Sequence, residues 1–316
     1  MKWIAADAPW MHDEKSIVAI GVFDGVHLGH REIIHRTVTT ARLHGTPSVV
    51  VTFDPTPAEV LAPERAPRLL DSLEHRAALL GELGVDEVRV VPFSHDASQE
   101  EARDFVRRVL VDSCRAGLVV VGEDFHFGKN RGGNVATLSA WGEEFEFDTL
   151  AMALLSDGER ISSTRIRECV ARGDVASATV MLGRPFGYFG MQVVHGDSRG
   201  GTELGYPTAN IAPSTRLIRP ALGIYAGSAT LPDGQRYAAA ISVGKRPQFY
   251  ENGDVLIEAF LLDFSGDLYG KPIDLEFFEY VRPEMAFPSV EELVEQMGRD
   301  VARTAEIFGT SGASEA

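Results

Sequence analysis

Two histidines and three glycines lie within ten residues near the start of the chain, in the run Gly21-Val-Phe-Asp-Gly-Val-His-Leu-Gly-His30. An apolar run precedes this turn and a helical pattern follows it, so a strand is predicted to enter a helix here. Such a turn directs backbone N–H groups and the positive end of the helix dipole at one point, which suits an anion. The glycines leave room for a phosphate, and His27 and His30 are spaced to face it. A tight turn with two capping histidines is the simpler interpretation, but it explains this combination of residues less well.

The elements that position this turn follow from the pattern up to residue 150. Apolar runs at 17–23, 48–53, 87–93, 117–122 and 145–150 alternate with helical patterns near 29–44, 73–82, 99–112 and 134–141. This alternation predicts a doubly wound, Rossmann-like parallel sheet with helices on both faces. Ligands of such sheets bind beyond the carboxyl ends of the strands. Three polar or glycine-rich segments fall there, at 21–30, 53–57 and 122–128, so we expect them to form one site.

The second half of the chain has short apolar runs broken by Gly, Pro, Asp and Asn. Candidate strands are 188–195, 224–230, 237–243, 254–263 and 272–281. Regular short strands of this kind predict an antiparallel β-barrel. A closing helix over roughly 289–308 has Ser289 as its N-cap and an apolar side made of Leu293, Met297, Val301 and Ile307. We therefore predict an α/β domain over residues 1–183, a barrel domain over 184–309 and a flexible tail over 310–316.

Two further residue sets in the barrel half carry chemistry. In an extended segment Thr208 and Asn210 face one side, and their oxygens suit Mg²⁺ that carries ATP phosphates. Glycines at 196, 200, 201 and 205 allow a loop to close over phosphate. Glu258 shares a strand face with apolar residues, which costs free energy unless the carboxylate is paired or functional. On the residues alone, a buried structural salt bridge explains Glu258 about as well as a catalytic role.

Composition excludes several classes of function. The chain has 316 residues, 44% of them hydrophobic, and a net charge of −16, so it would repel nucleic acid and anionic membranes. Cys114 and Cys169 form no metal-binding or disulfide pattern. With no apolar run of spanning length and no signal-peptide core, a cytoplasmic location is expected. Weak self-association is left open.

The run from Gly21 to His30 resembles that of the HxGH nucleotidyltransferases, and its fuller form resembles the bacterial bifunctional riboflavin kinase/FMN adenylyltransferase (FAD synthetase) family. The resemblance implies that His27 and His30 bind ATP phosphates and stabilise the transition state of adenylyl transfer. A later string, Ile161-Ser-Ser-Thr-Arg-Ile-Arg-Glu168, matches another family motif. The implied ATP site comprises Gly21, Phe23, Asp24, His27, His30, Ser163, Thr164 and Arg167. The implied flavin site of this half comprises Phe53, Pro55, Asp124 and Phe127.

In the second half, the string Pro207-Thr-Ala-Asn210 resembles the riboflavin kinase signature. The resemblance implies that Glu258 is the general base of the kinase and that Arg282 lies on a loop that closes on flavin. It also implies an ATP site made of Gly196, Gly205, Thr208 and Asn210, with Thr208 and Asn210 as the Mg²⁺ ligands. Two reactions follow, with ATP as co-substrate: riboflavin is phosphorylated to FMN, and FMN is adenylylated to FAD.

The chain departs from the family pattern at several positions. It has Thr56 and His126 where the family usually has histidine and arginine, and both positions lie in the adenylyltransferase half. In the kinase half, Thr202 replaces a common arginine and 245–248 differ from the usual ending. Two other interpretations therefore stay open. One is a paralogue with kinase activity only or an altered flavin or nucleotide specificity, and the other is a non-catalytic flavin carrier or sensor.

Overall fold

A computed structural model of the chain describes residues 2–5, 8–194, 208–245 and 255–311. By internal contacts the chain divides into two units, Met1–Ser163 and Thr164–Ala316. The predicted domain boundary at residue 183 stays a prediction, as does the flexible tail, most of which lies outside the described residues. None of the described helices combines the length and the apolar character that crossing a membrane requires.

A six-stranded parallel sheet forms the centre of the first unit. Its strands are β1 (Lys2–Ala5), β2 (Ser16–Ile20), β3 (Ser48–Phe53), β4 (Glu87–Val91), β5 (Ala116–Gly122) and the later β8 (Asp148–Met152), in the spatial order β1-β4-β3-β2-β5-β8. A hairpin of β6 (His126–Phe127) and β7 (Gly133–Asn134) follows β5. The helices are α1 (Leu28–His44), α2 (Pro57–Leu61), α3 (Leu73–Glu82), α4 (His95–Ser98), α5 (Ala102–Phe105, continued as a π-helix over Val106–Ser113) and α6 (Val135–Phe145). The predicted doubly wound sheet is confirmed, whereas β1, α2, α4 and the hairpin were not predicted.

Two clusters of buried apolar side chains cover the two faces of this sheet. Every residue of β2 and β3 is buried, as expected for Val- and Ile-rich strands of a parallel sheet that is covered on both faces. Successive residues of a strand serve opposite faces. Val18 packs in one cluster with side chains of α5 and α6, and Ala19 packs in another with side chains of α1 and α3. Because β2 lies between β3 and β5, the segments that follow these three strands meet at one edge.

The second unit is a closed antiparallel barrel with helices before and after it. Two helices, α7 (Ser163–Ala171) and α8 (Val175–Leu182), lead into the barrel and α9 (Val290–Ser311) follows it. The strands are β9 (Phe186–Val194), β10 (Ala209–Ile211), β11 (Gly223–Thr230), β12 (Arg236–Lys245), β13 (Val255–Leu261) and β14 (Pro272–Arg282), in the closed order β10-β13-β12-β11-β14-β9. The predicted barrel and closing helix are confirmed, and β10 is an additional strand.

Helix ends in the second unit carry typical capping residues. The Asp174 side chain accepts a hydrogen bond from the Ser177 N–H at the start of α8, and Gly183 ends α8 in the left-handed conformation. Ser289 Oγ accepts one from the Glu292 N–H at the start of α9. On α9 Ile307 is buried, whereas Leu293, Met297 and Val301 are half-buried because they line a cavity.

A fragment of residues 164–316 is expected to be more stable than one of residues 184–316. Helix α8 contacts β9 and β14, and its apolar residues Val175, Ala178, Met181 and Leu182 are buried. Fully burying a Val, Met or Leu side chain contributes about 1.5–3 kcal/mol. Thermal unfolding followed by circular dichroism should give the longer fragment a Tm higher by several degrees. Equal Tm values would show that α7 and α8 do not belong to the barrel's folding unit.

Candidate active sites

The turn after β2 joins the strand to α1 through a left-handed backbone, and its role as an anion site stays a prediction. Between the end of β2 and the start of α1, Phe23, Gly25 and Val26 have φ of 54°, 82° and 37°. Left-handed conformations are costly for the two residues with a Cβ, so the surrounding structure must hold them in place. The Gly21 N–H donates to the Val51 carbonyl and Thr52 Oγ1 donates to the Val22 carbonyl, which join the turn to β3.

His27 is the N-cap of α1. Its Nδ1 accepts a hydrogen bond from the His30 N–H at 3.3 Å, and the residue is 5% exposed. Because Nδ1 accepts, the neutral imidazole carries its proton on Nε2. In this tautomer Nδ1 caps the helix and Nε2 carries the N–H donor. One side chain thus starts the helix and places an N–H group at its positive end.

His30 is held against two other rings. Its ring stacks on the His27 ring with centroids 3.6 Å apart, and it meets the Phe23 ring edge-on at 5.3 Å. A Cβ on Gly29 would lie 3.2 Å from His27 Cε1, so a side chain at position 29 would push against the stacked imidazoles. Phe23, predicted as an ATP-site residue, is buried and supports His30.

Asp24, also predicted to bind ATP, is only 2% exposed. Its Oδ1 accepts a hydrogen bond from the Leu70 N–H at 2.9 Å and lies 3.7 Å from Arg76 Nη2. These contacts favour a structural role for its carboxylate. Ser163 Oγ donates to the Asp24 carbonyl at 2.9 Å, which places Ser163 beside the turn. Thr164 is exposed and Arg167 half-buried on α7, and their phosphate contacts stay predictions.

Aromatic side chains fill the same edge of the sheet. Phe53 ends β3 and contacts Phe105, Phe105 contacts Phe127, and Phe127 stacks on Phe125 with centroids 5.2 Å apart. Trp141 meets Phe127 edge-on at 6.3 Å. Phe53 and Phe127 are thus brought together as predicted for a flavin site, although both rings are largely buried.

The other predicted flavin residues of the first unit lie at the surface. Pro55 is exposed, and the exposed Asp124 forms an ion pair with Arg160. Thr56 is the N-cap of α2, where its N–H and hydroxyl both donate to Glu59 Oε2, at 2.8 and 2.9 Å. This capping contact accounts for a threonine at position 56.

The second candidate site is a cavity of about 270 Å³ beside β13 and α9. Its polar lining includes the predicted Thr208, Glu258 and Arg282, which the structure brings together. Large and flexible apolar side chains suit an aromatic ligand. Those that line this cavity are mainly Ile224, Phe260, Met285, Phe287, Leu293, Met297 and Val301. Sequence reasoning missed Ser242, Glu284 and Asp300 in the lining. Gly196 and Gly205 lie outside the described residues.

Glu258 is half-buried and faces this cavity together with Phe260. The alternating pattern of β13 therefore predicted its face correctly. Its neighbours across the strands are polar, because Asn210 of β10 and Ser242 of β12 stand directly opposite it. The sequence identified the apolar residues on the strand face of Glu258 but not these polar neighbours, because strand register decides which residues of adjacent strands flank the carboxylate.

Arg282 is the last residue of β14, and Asp300 of α9 binds its guanidinium. Its Nε lies 3.0 Å from Asp300 Oδ1 and its Nη2 lies 2.6 Å from Asp300 Oδ2. Asp300 is 5% exposed and also accepts from Gln296 Nε2 at 2.9 Å. The guanidinium lies over the Phe287 ring, 5.8 Å from its centroid. The predicted flavin-loop arginine thus ties the start of the 283–289 segment to α9.

Thr208 and Asn210, the predicted cation ligands, contact each other. Asn210 is 4% exposed and its Nδ2 donates to the Thr208 carbonyl at 3.4 Å. Its Oδ1 is buried and has no hydrogen-bond partner among the described residues. A buried oxygen of this kind costs free energy unless it finds a partner. Neutral oxygen donors fit Mg²⁺, so the residues present agree with the predicted ligand pair.

Comparison with known proteins covers both units. The FAD synthetase family model matches residues 10–165 and the riboflavin kinase family model matches residues 182–308. The bifunctional riboflavin kinase/FMN adenylyltransferase of Escherichia coli (strain K12) is 36% identical over 297 residues, 94% of each chain. The protein of the same name from Pseudomonas fluorescens is 39% identical over 287 residues, 90% of this chain and 91% of its own.

A solved structure has the same fold throughout. The crystal structure of a protein described as a macrolide-efflux protein from Streptococcus pneumoniae superposes with a TM-score of 0.85 at 30% identity, covering 96% of this chain and 98% of its own. Both family models match in the same order as the motifs, and the relatives are covered nearly end to end. The chain therefore belongs to the bifunctional riboflavin kinase/FMN adenylyltransferase family.

Proposed function

We propose that this chain makes FMN from riboflavin in its second unit and FAD from FMN in its first, with ATP as co-substrate in both reactions. The observation that supports the proposal is that key side chains of each motif set lie close together. His27 and His30 stack at the start of α1, and Glu258, Thr208 and Arg282 line one cavity.

In the kinase reaction Glu258 accepts the proton of the terminal ribityl hydroxyl. The hydroxyl oxygen then attacks the γ-phosphorus of ATP, the bond from this phosphorus to the bridging oxygen breaks, and ADP leaves. Phe260 and the apolar face of α9 would hold the isoalloxazine ring. Binding the flavin in this cavity places its reacting oxygen, which is the main contribution a protein makes to phosphoryl transfer.

In the adenylyltransferase reaction a phosphate oxygen of FMN attacks the α-phosphorus of ATP, and pyrophosphate leaves. Neither reaction needs a covalent enzyme intermediate. Nε2–H of His27 and the imidazole of His30 would donate to phosphate oxygens as charge develops on them. The start of α1 adds its dipole in the same place.

Mg²⁺ is part of the proposal, with Thr208 and Asn210 as its ligands in the kinase. It would neutralise phosphate charge there.

The partners are small molecules, and neither reaction requires self-association. We also propose a cytoplasmic location. Burial raises the pKa of the Cys114 thiol to about 12 and also raises the pKa of Cys169, so both free cysteines remain thiols.

The test is to incubate the purified chain with riboflavin, ATP and Mg²⁺ and to separate the flavins by chromatography. FMN and FAD are the expected products. FMN alone would support the kinase-only paralogue, and neither product would support a flavin carrier. Omitting Mg²⁺ should stop FMN formation.

His126 is expected to limit FAD synthesis. Its exposed ring has Nδ1 2.8 Å from the Asp124 carbonyl, so Nδ1 donates there and the neutral ring has a lone pair, not a donor, on Nε2. An arginine at this position would carry a permanent charge and could bind phosphate through two parallel hydrogen bonds, so His126→Arg should raise FAD synthesis.

The matched control is His95→Arg, which places the same charge at another exposed histidine of the first unit. Initial rates of FAD formation from FMN provide the measurement. An unchanged rate in His126→Arg, or a rise that the control reproduces, would show that His126 does not limit the site.

A further inference from the structure

A fully buried group of three charged side chains lies against the turn that carries the histidines. Asp24, Asp71 and Arg76 are 2%, 4% and 1% exposed. Arg76 Nε lies 3.1 Å from Asp71 Oδ1, and Arg76 Nη2 lies 3.7 Å from Asp24 Oδ1. Burial of ions on this scale is costly unless each one is paired and hydrogen-bonded. Because each charge needs its partners, these three side chains must keep closely to this one arrangement.

The two carboxylates connect the turn with the segment before α3. Asp71 Oδ2 accepts from the Gly25 N–H at 3.0 Å, and Asp24 Oδ1 accepts from the Leu70 N–H at 2.9 Å. Each segment thus supplies a carboxylate to the backbone of the other. Gly25 lies between two residues that have positive φ and a side chain, where a strained backbone persists only if its surroundings fix it.

Gly25 is two residues before the N-cap His27. A shift of its backbone would move the imidazole and, through the ring stack, His30 as well. We infer that Asp71 and Arg76 are positioning residues for adenylyl transfer, which hold the turn so that both histidines meet the ATP phosphates. This inference rests on the proposed function of the first unit.

Asp71→Asn and Arg76→Lys are the variants that test the inference. Asp71 uses one carboxylate oxygen for the Gly25 N–H and the other for Arg76. An asparagine has only one acceptor oxygen, so it can keep one of these two contacts but not both. A lysine keeps the charge but loses the planar fork that reaches both carboxylates. Because misplacement by about 1 Å costs up to about a hundredfold in rate, kcat for FAD formation should fall roughly ten- to hundredfold. The KM for FMN should change less than kcat.

The matched control is Arg89→Lys. Arg89 is also 1% exposed and paired with a buried carboxylate, since its Nη2 lies 3.3 Å from Glu87 Oε2. Its Nη1 donates to Ser113 Oγ and to the Ala8 carbonyl instead of serving the turn. All rates are measured well below each variant's own Tm for the first unit, and riboflavin phosphorylation by the same sample normalises for the amount of chain.

A second measurement distinguishes a positioning role of Asp71 from a general contribution to the stability of the first unit. If Asp71 acts through His27, the substitution Asp71→Asn should cost less than about twofold in a His27→Asn background. A full additive loss there would overturn the inference, as would wild-type kcat in Asp71→Asn or an equal loss in Arg89→Lys. Wild type that makes FMN but no FAD would instead refute the proposed adenylyltransferase function, and this role with it.

Discussion

Glu258→Gln is expected to abolish FMN formation while the conversion of added FMN to FAD continues. Glutamine keeps the size of the side chain but cannot accept the hydroxyl proton, and loss of a general base typically costs roughly a hundredfold or more. Glu258 faces the cavity beside Thr208 and Arg282, where the ribityl chain and the phosphates would meet. Chromatography of the flavins formed from riboflavin, and separately from FMN, measures both activities in one sample.

Glu276→Gln provides the matched control for this experiment. Glu276 belongs to the same barrel and is paired with Arg236 at 2.8 Å, outside the cavity lining. The control should keep its FMN production, because a partly exposed ion pair contributes little to stability. FMN formation near the wild-type rate in Glu258→Gln would show that Glu258 is structural.

Substitutions at His27 should separate its two roles. Asparagine at position 27 would still accept the His30 N–H as an N-cap but would lack the imidazole, whereas alanine would lack both. Both variants should lose FAD synthesis by about a hundred- to a thousandfold, as expected for removal of a donor to developing charge. Only His27→Ala should also be destabilised, by about 1 kcal/mol. FAD formation from FMN and thermal unfolding are the two measurements.

Riboflavin phosphorylation serves as the internal control for His27, because the kinase site lies in the other unit. If His27→Asn retained full FAD synthesis, capping α1 would be the whole function of this residue. A parallel loss of FMN formation would indicate global unfolding in place of a local effect.

The architecture was predictable because its signals are local and repeated. Runs such as Val49 to Val51 are buried on both faces, and the change to short strands after Gly183 marks the barrel. Two of the missed strands show why others were not predicted. The segment Lys2–Ala5 is largely exposed, so it shows no burial pattern, and Ala209–Ile211 is too short to show a period.

The site was predictable only where a motif names its residues. Arg76 was missed because a charged residue in a helix is expected to face solvent. Its spacing from Leu79 and Leu80 places it on the buried face of α3, and this signal could have identified it. The partnership of Asp71 with Gly25 spans 46 residues and depends on the fold, so no local pattern reveals it.

The edge-on contact of Trp141 with Phe127 has a spectroscopic consequence. All three tryptophans of the chain fall within residues 1–163, and all seven tyrosines fall within 164–316. Indole can be excited selectively at wavelengths where phenol does not absorb. Tryptophan emission therefore follows the unfolding of the first unit inside the intact chain. Since flavins absorb where indole emits, a flavin bound beside Phe127 would quench the emission of Trp141. Flavin binding to the first unit could therefore be measured without an added label.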